Sequence, residues 1–149
     1  MATDSTVLGN ALGLVVFAYL AYSLFLQGRR RKIITSAVRK RDGRSIASHI
    51  RSAYRLHHRM TGLLNHARLS PGDGLLIWPC RAIHTRGMSF PIDAIFLDPR
   101  GTIISIYEQV PPNRAENYRG GQGSACVLEL AAGQVKALGL HVGEEVELR

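Results

Sequence analysis

The chain has 149 residues, 46% of them hydrophobic and 20% charged, with 19 basic against 11 acidic side chains. That length suits one domain of ordinary size, and the apolar fraction excludes a disordered chain. Two cysteines are too few for a disulfide-stapled scaffold, and the sequence holds no internal repeat or low-complexity tract.

The formal charge of +8 is unevenly placed. Residues 29–59 carry 11 Lys and Arg against one acid, whereas from Met60 onward 8 basic side chains face 9 acidic ones. Ahead of the basic stretch, residues 7–26 form a run of twenty without a charge. At about 1.5 Å per residue, a helix of that length covers a hydrocarbon core of roughly 30 Å. Tyr19 and Tyr22 suit the approach to an interface. Residues 1–6 carry only Asp4, which does not fit the positive start of a cleaved signal peptide. The expected organisation is therefore a short outer N-terminus at 1–6, a transmembrane helix at 7–26, a basic juxtamembrane segment at 27–34 and a soluble domain at 35–149. Arg29, Arg30, Arg31 and Lys32 directly follow the span. They favour a single-pass, N-out topology in the inner (plasma) membrane, with the C-terminal domain in the cytoplasm. The same four residues suit anionic lipid head groups at the membrane surface.

Next in chain order, residues 35–41 and 44–52 flank Asp42-Gly43, a hairpin signal whose two turn positions both ask for positive φ. Val38, Ile46 and Ile50 alternate with basic residues, so one face should be buried. Leu56, Met60, Leu63 and Leu64 recur at helical spacing and predict a short amphipathic helix over 54–64. Residues 70–74 read as a loop and 75–78 as a short buried strand, and 79–88 has no clean period. Strands are expected at 92–97 and 102–107, joined by Asp98-Pro-Arg-Gly101 as a type I turn. Residues 111–123, rich in Pro, Gly, Asn and Arg, predict a long exposed loop, the kind that often carries function. A strand at 125–130, a short helix over 131–140 ended at Gly139 and a strand at 145–148 complete the chain. Several short strands with two short helices indicate a mainly β fold, a small antiparallel barrel-like or sandwich domain.

The order of motifs is distinctive. Arg59-Met-Thr-Gly-Leu-Leu64, Leu69-Ser-Pro-Gly-Asp-Gly-Leu-Leu76 and Cys80-Arg-Ala-Ile-His-Thr-Arg-Gly-Met-Ser-Phe-Pro-Ile-Asp-Ala-Ile-Phe-Leu-Asp98 are followed by Val127-Leu-Glu-Leu130, Gly133, Leu138-Gly139 and Val142-Gly-Glu-Glu-Val146. Over about 35–148 this resembles the domain of unknown function 192 family. The resemblance implies a compact, mostly β, barrel-like domain and implies no activity. The N-terminal apolar segment departs from the family's plain soluble or secreted members.

Three constellations could carry chemistry. Cys80, His84 and Cys126 are zinc-ligating types, but structural zinc sites usually take four ligands and no Cys-x-x-Cys pair is present. Two reduced cysteines without a metal are the simpler expectation. Cys80 as nucleophile, His84 as base and Asp93 orienting the imidazole would form a hydrolase or transferase, given a lowered thiol pKa and mutual reach. His84, Thr85, Met88, Asp93 and Arg114 would instead line a cleft for an anionic or polar ligand. Asp93 lies in an apolar strand and needs a partner, or it serves only to fasten the 79–88 connection. Nucleic acid is not expected as a partner, because the excess charge sits beside the apolar span and the aromatic content is 7% with no stacking pattern. The sequence thus predicts a membrane-anchored ligand- or protein-binding module without a cofactor. Its expected partners are the lipid bilayer and a membrane protein of unspecified identity.

Overall fold

The computed structural model describes residues 33–54, 63 and 68–149. The expected transmembrane helix at 7–26, the basic run 29–32 and, apart from Tyr54 and Leu63, the helix expected at 54–64 lie outside them. Among the described residues no helix is long and apolar enough to cross a membrane. The chain divides into Met1–Lys32 and Ile33–Arg149, and the second unit is described here.

The unit is mainly β. Its centre is a five-stranded sheet in the order β3 (His49–Ala53), β4 (Asp73–Ile77), β9 (Cys126–Ala131), β6 (Ile92–Leu97), β7 (Ile103–Val110). All six residues of β6 and all six of β9 are buried, as expected of strands covered on both faces. Alternation divides their side chains between two cores. Ile95, Leu97, Cys126, Leu128 and Leu130 enter a first core with Ile46, Leu76, Ile103 and Val146. Ile92, Ala94, Phe96, Val127 and Ala131 enter a second with Leu69, Ile83, Met88 and Phe90.

A three-stranded sheet runs β10 (Val146–Leu148), β1 (Ala37–Arg39), β2 (Ser45–Ala47). Only Ser48 separates β2 from β3, so one bent stretch serves both sheets. A third, two-stranded ladder pairs β5 (Ala82–Ile83) with β8 (Tyr118–Arg119). The single described helix, α1 (Gln134–Leu138), ends at Gly139 in the left-handed region, as the sequence predicts.

Four expectations are corrected. The fold is neither a closed barrel nor wholly antiparallel: none of the three sheets closes, and β3 and β4 run parallel. The physical reason is the connection at 54–72, long enough to return the chain to the starting end of the sheet, which a tight turn cannot do. The β1–β2 hairpin forms, but with a wider connection in which only Gly43 has positive φ. Arg39 N–H reaches Arg44 O at 2.8 Å, and the Asp42 carboxylate accepts from Arg44 N–H. On β1, Ala37 and Arg39 are buried and Val38 only half-buried. A charge at that position is tolerated because Arg39 Nη2 donates to Leu138 O at 2.7 Å, with Asp42 and Glu144 carboxylates at 3.3 and 3.5 Å. Finally, the exposed 111–123 loop is not wholly irregular, since it contains β8.

The turn at Asp98 forms as expected. Gly101 N–H bonds Asp98 O at 3.1 Å, and Asp98 Oδ1 accepts from the amides of Arg100 and Thr102 at 2.8 Å each. These bonds hold the Asp98 carboxyl below its ordinary pKa. At Gly101, φ is +92° and a Cβ would stand 2.2 Å from Val146 O, so no side chain fits.

Candidate functional site

The β5–β8 ladder continues past its named strands into a ribbon with a hub at one residue. Thr85, fully buried, donates its hydroxyl to Pro111 O at 2.7 Å and accepts on Oγ1 from Arg114 N–H at 3.1 Å. Its own N–H reaches Arg114 O at 3.2 Å, and its carbonyl accepts from Asn113 and Met88 at 2.9 and 3.0 Å. The Asn113 side chain closes the tip by accepting from Gly87 N–H at 3.2 Å. Toward the other end, Ala82 faces Arg119, Ile83 faces Tyr118 and Gly120 N–H bonds Arg81 O at 2.9 Å.

Alternation along the first strand of this ribbon explains what is presented outward. Ile83 and Thr85 are buried and anchor it, Met88 is buried in the second core, and His84 and Arg86 are exposed. Arg81, Arg114 and Arg119 are also exposed. The ribbon lies directly on the central sheet. At Gly120 a Cβ would meet Phe96 Cδ1 at 2.5 Å and Ser124 Oγ at 2.4 Å. The Tyr118 ring stands edge-on to Tyr107 at 5.3 Å, and Tyr107 to Phe96 at 6.0 Å. Tyr107 OH donates to Arg119 O at 2.8 Å.

Of the residues singled out from sequence, the fold thus joins Thr85 and Arg114 by direct hydrogen bonds, with His84 beside them in the chain. Asp93 is engaged elsewhere. Its Oδ1 accepts from Gln109 N–H and its Oδ2 from Val135 N–H, both at 2.8 Å. It fastens the start of α1 and a bend in β7 where Gln109 has φ +49°, rather than the 79–88 connection. With both oxygens on backbone amides, the carboxylate satisfies two donors that the sheet and helix leave open. Both cysteines are reduced thiols. Cys80 Sγ donates to Ala82 O at 3.2 Å. Cys126 is fully buried; burial, with Cys80 as a further contribution, pushes its pKa up to about 12. Among the described residues no three His, Cys, Asp or Glu side chains are grouped to hold a metal ion.

One constellation appears only in three dimensions. Ser48 Oγ lies 3.2 Å from His49 Nδ1, and Asp73 Oδ1 is 3.9 Å from the same nitrogen. A serine relay needs the hydroxyl and the carboxylate on opposite ring nitrogens. Sharing one, they form a surface contact at an imidazole whose side chain is 81% exposed.

Sequence reasoning passed over Glu129. It sits on β9 between Leu75 of β4 and Ala94 of β6, on the face of Val127 and Ala131, and is 4% exposed. Burial pushes its pKa up to about 8. The signal was a lone acid in the apolar run Val127-Leu-Glu-Leu130.

The fold and its ribbon define a small mainly β domain that presents a basic face braced against a central sheet. The chain belongs to the DUF192 family, described as "Uncharacterized ACR", whose model matches residues 37–148. Two solved structures are similar to it. One, solved as a "putative transcription regulator" from Sinorhizobium meliloti 1021, is 26% identical with a TM-score of 0.65, over 76% of this chain and 90% of that one. The other, a protein of unknown function from Novosphingobium aromaticivorans DSM 12444, is 21% identical with a TM-score of 0.63, over 66% and 74% of the two chains, and shows the shared fold. No curated protein matches the chain.

Proposed function

We propose that the protein is a membrane-tethered binding module at the inner face of the membrane, and that its ligand site is the Thr85-braced ribbon. The observation that carries this is the hub at Thr85, where four hydrogen bonds, to Pro111, Asn113 and twice with Arg114, lock two loops together. His84, Arg86 and Arg114 are thereby shown to solvent on a fixed support, the arrangement that keeps the ordering cost of binding low. Arginine forks and an imidazole suit an anionic ligand. The charge-free run 7–26 with the basic residues behind it supports the tether.

The same geometry favours a module over a cysteine-dependent hydrolase. Cys80 spends its S–H on a backbone carbonyl, and Asp93 spends both oxygens on amides away from His84. The test is alkylation of the folded protein with iodoacetamide at pH 7, followed by mass spectrometry. Cys80 should react more slowly than an unstructured cysteine peptide; a faster reaction would point to an activated thiolate and to the enzyme. In parallel, Arg114→Ala should weaken titration with pyrophosphate while leaving the thermal midpoint unchanged. An unaltered titration would remove the ribbon as the site.

A further inference from the structure

Across residues 80–90 and 111–123, the two strands of the ribbon carry four arginines and a single acid, Glu116. The hydrogen-bond register sorts the arginines into two groups. Arg81 and Arg119 come together where Gly120 N–H meets Arg81 O and Ala82 faces Arg119. Arg86 and Arg114 come together at the Thr85 hub, Arg86 following Thr85 in the chain and Arg114 bonded to it. Thr85 lies three positions after Ala82, so the groups stand about 10 Å apart along the strand, with His84 between them. All four arginines are exposed, and among the described residues none is in an ion pair. The one acid is directed elsewhere: Glu116 Oε1 accepts from Tyr118 OH at 2.7 Å.

We infer that this arginine face docks on the phosphate groups of an anionic lipid bilayer, laying the ribbon of the domain against the membrane surface. The inference rests on the tethered-module reading and names the ligand of the same site. Two observations choose the bilayer over a nucleic acid strand. Strand binding without sequence preference relies on exposed aromatic rings that stack bases. The ribbon's two aromatic residues are not free to stack: Phe90 is buried in the second core, and Tyr118 is half-buried, packed edge-on against Tyr107 and hydrogen-bonded to Glu116. A lipid surface asks only for exposed, spaced positive charge, which the ribbon supplies in two groups. A tether keeps that surface at high effective concentration, so a modest attraction suffices.

The full chain is incorporated into nanodiscs of phosphatidylcholine alone or with phosphatidylglycerol, and arginine modification by phenylglyoxal is followed residue by residue by mass spectrometry. Arg44 and Arg100, exposed on other turns, serve as internal controls. Arg81, Arg86, Arg114 and Arg119 should be modified roughly fivefold more slowly in the anionic discs, the factor expected for one basic side chain near such a surface. The controls should not change, and the protection should fade at high salt. In the double variant Arg114→Gln/Arg119→Gln, which removes only exposed side chains, protection of Arg81 and Arg86 should fall. Equal rates in the two discs overturn the inference while leaving the tether standing. Protection by a single-stranded oligonucleotide in neutral discs, without protection by anionic lipid, assigns the face to nucleic acid and also overturns it. If the chain does not enter discs at all, the tether fails. Docking is then judged by co-sedimentation with phosphatidylglycerol vesicles, which supports it if the quadruple Arg→Gln variant is lost from the pellet and overturns it if the wild type never pellets.

Discussion

Two buried acids on neighbouring strands have opposite surroundings, and their chemistry follows from the partners each one finds. Asp93 meets two amide donors at 2.8 Å; Glu129 is buried, and burial alone shifts its carboxyl. Asp93→Ala would orphan the buried Val135 amide and leave the part-buried Gln109 amide to water, at a cost of about 1–3 kcal/mol, measured by chemical denaturation. Asp93→Asn, which keeps one acceptor oxygen, should lose less. For Glu129 the folded pKa of about 8 lies above the ordinary 4.5. Between those values the folded state holds a proton that the unfolded state has released, so stability falls as pH rises through this window and levels off above pH 8. Unfolding curves at pH 5, 7 and 9 should show that decline, amounting to a few kcal/mol. Glu129→Gln, neutral at every pH and of the same shape, should abolish it. A flat wild-type profile would mean that the carboxyl is paired in solution. Neither role was legible beforehand, because a lone acid in an apolar strand reads the same whether its partner is an amide across the fold or nothing.

At the level of elements, local chemistry announced most of the strands and the core alternation. Strand β6 spans the expected 92–97, β9 and β10 lie within a residue of expectation, and the Asp98 turn closes with the expected bond. What the periodicity did not reveal was the ribbon. Strands β5 and β8 are two residues each, too short for alternation to show, and they exist because long-range bonds from Thr85 and Gly120 hold them. Gly120 is the tightest point of that support. Gly120→Ala would drive a methyl into Phe96 and Ser124, at about 1–3 kcal/mol for overpacking. Hydrogen exchange should show the amides of 82–85 and 113–120 opening first. Unchanged protection there would mean that the ribbon is not braced on the sheet.

For the whole molecule, the charge-free run 7–26 and the basic residues 29–32 precede the β unit Ile33–Arg149 in the sequence. The proposed topology gives a definite outcome: a C-terminal alkaline phosphatase fusion should be inactive and a C-terminal fluorescent protein bright, and the reverse pattern would place the domain outside. Hydropathy and two-residue alternation are properties of neighbouring residues, so the sequence by itself determined the mainly β class, the bounds of β6 and the turn at Asp98. The parallel pairing of β3 with β4, the separation into three unclosed sheets and the grouping of four arginines on one face were decided only in the tertiary structure. Each depends on hydrogen bonds and packing between residues tens of positions apart, and no local pattern encodes which distant backbone group will be the partner.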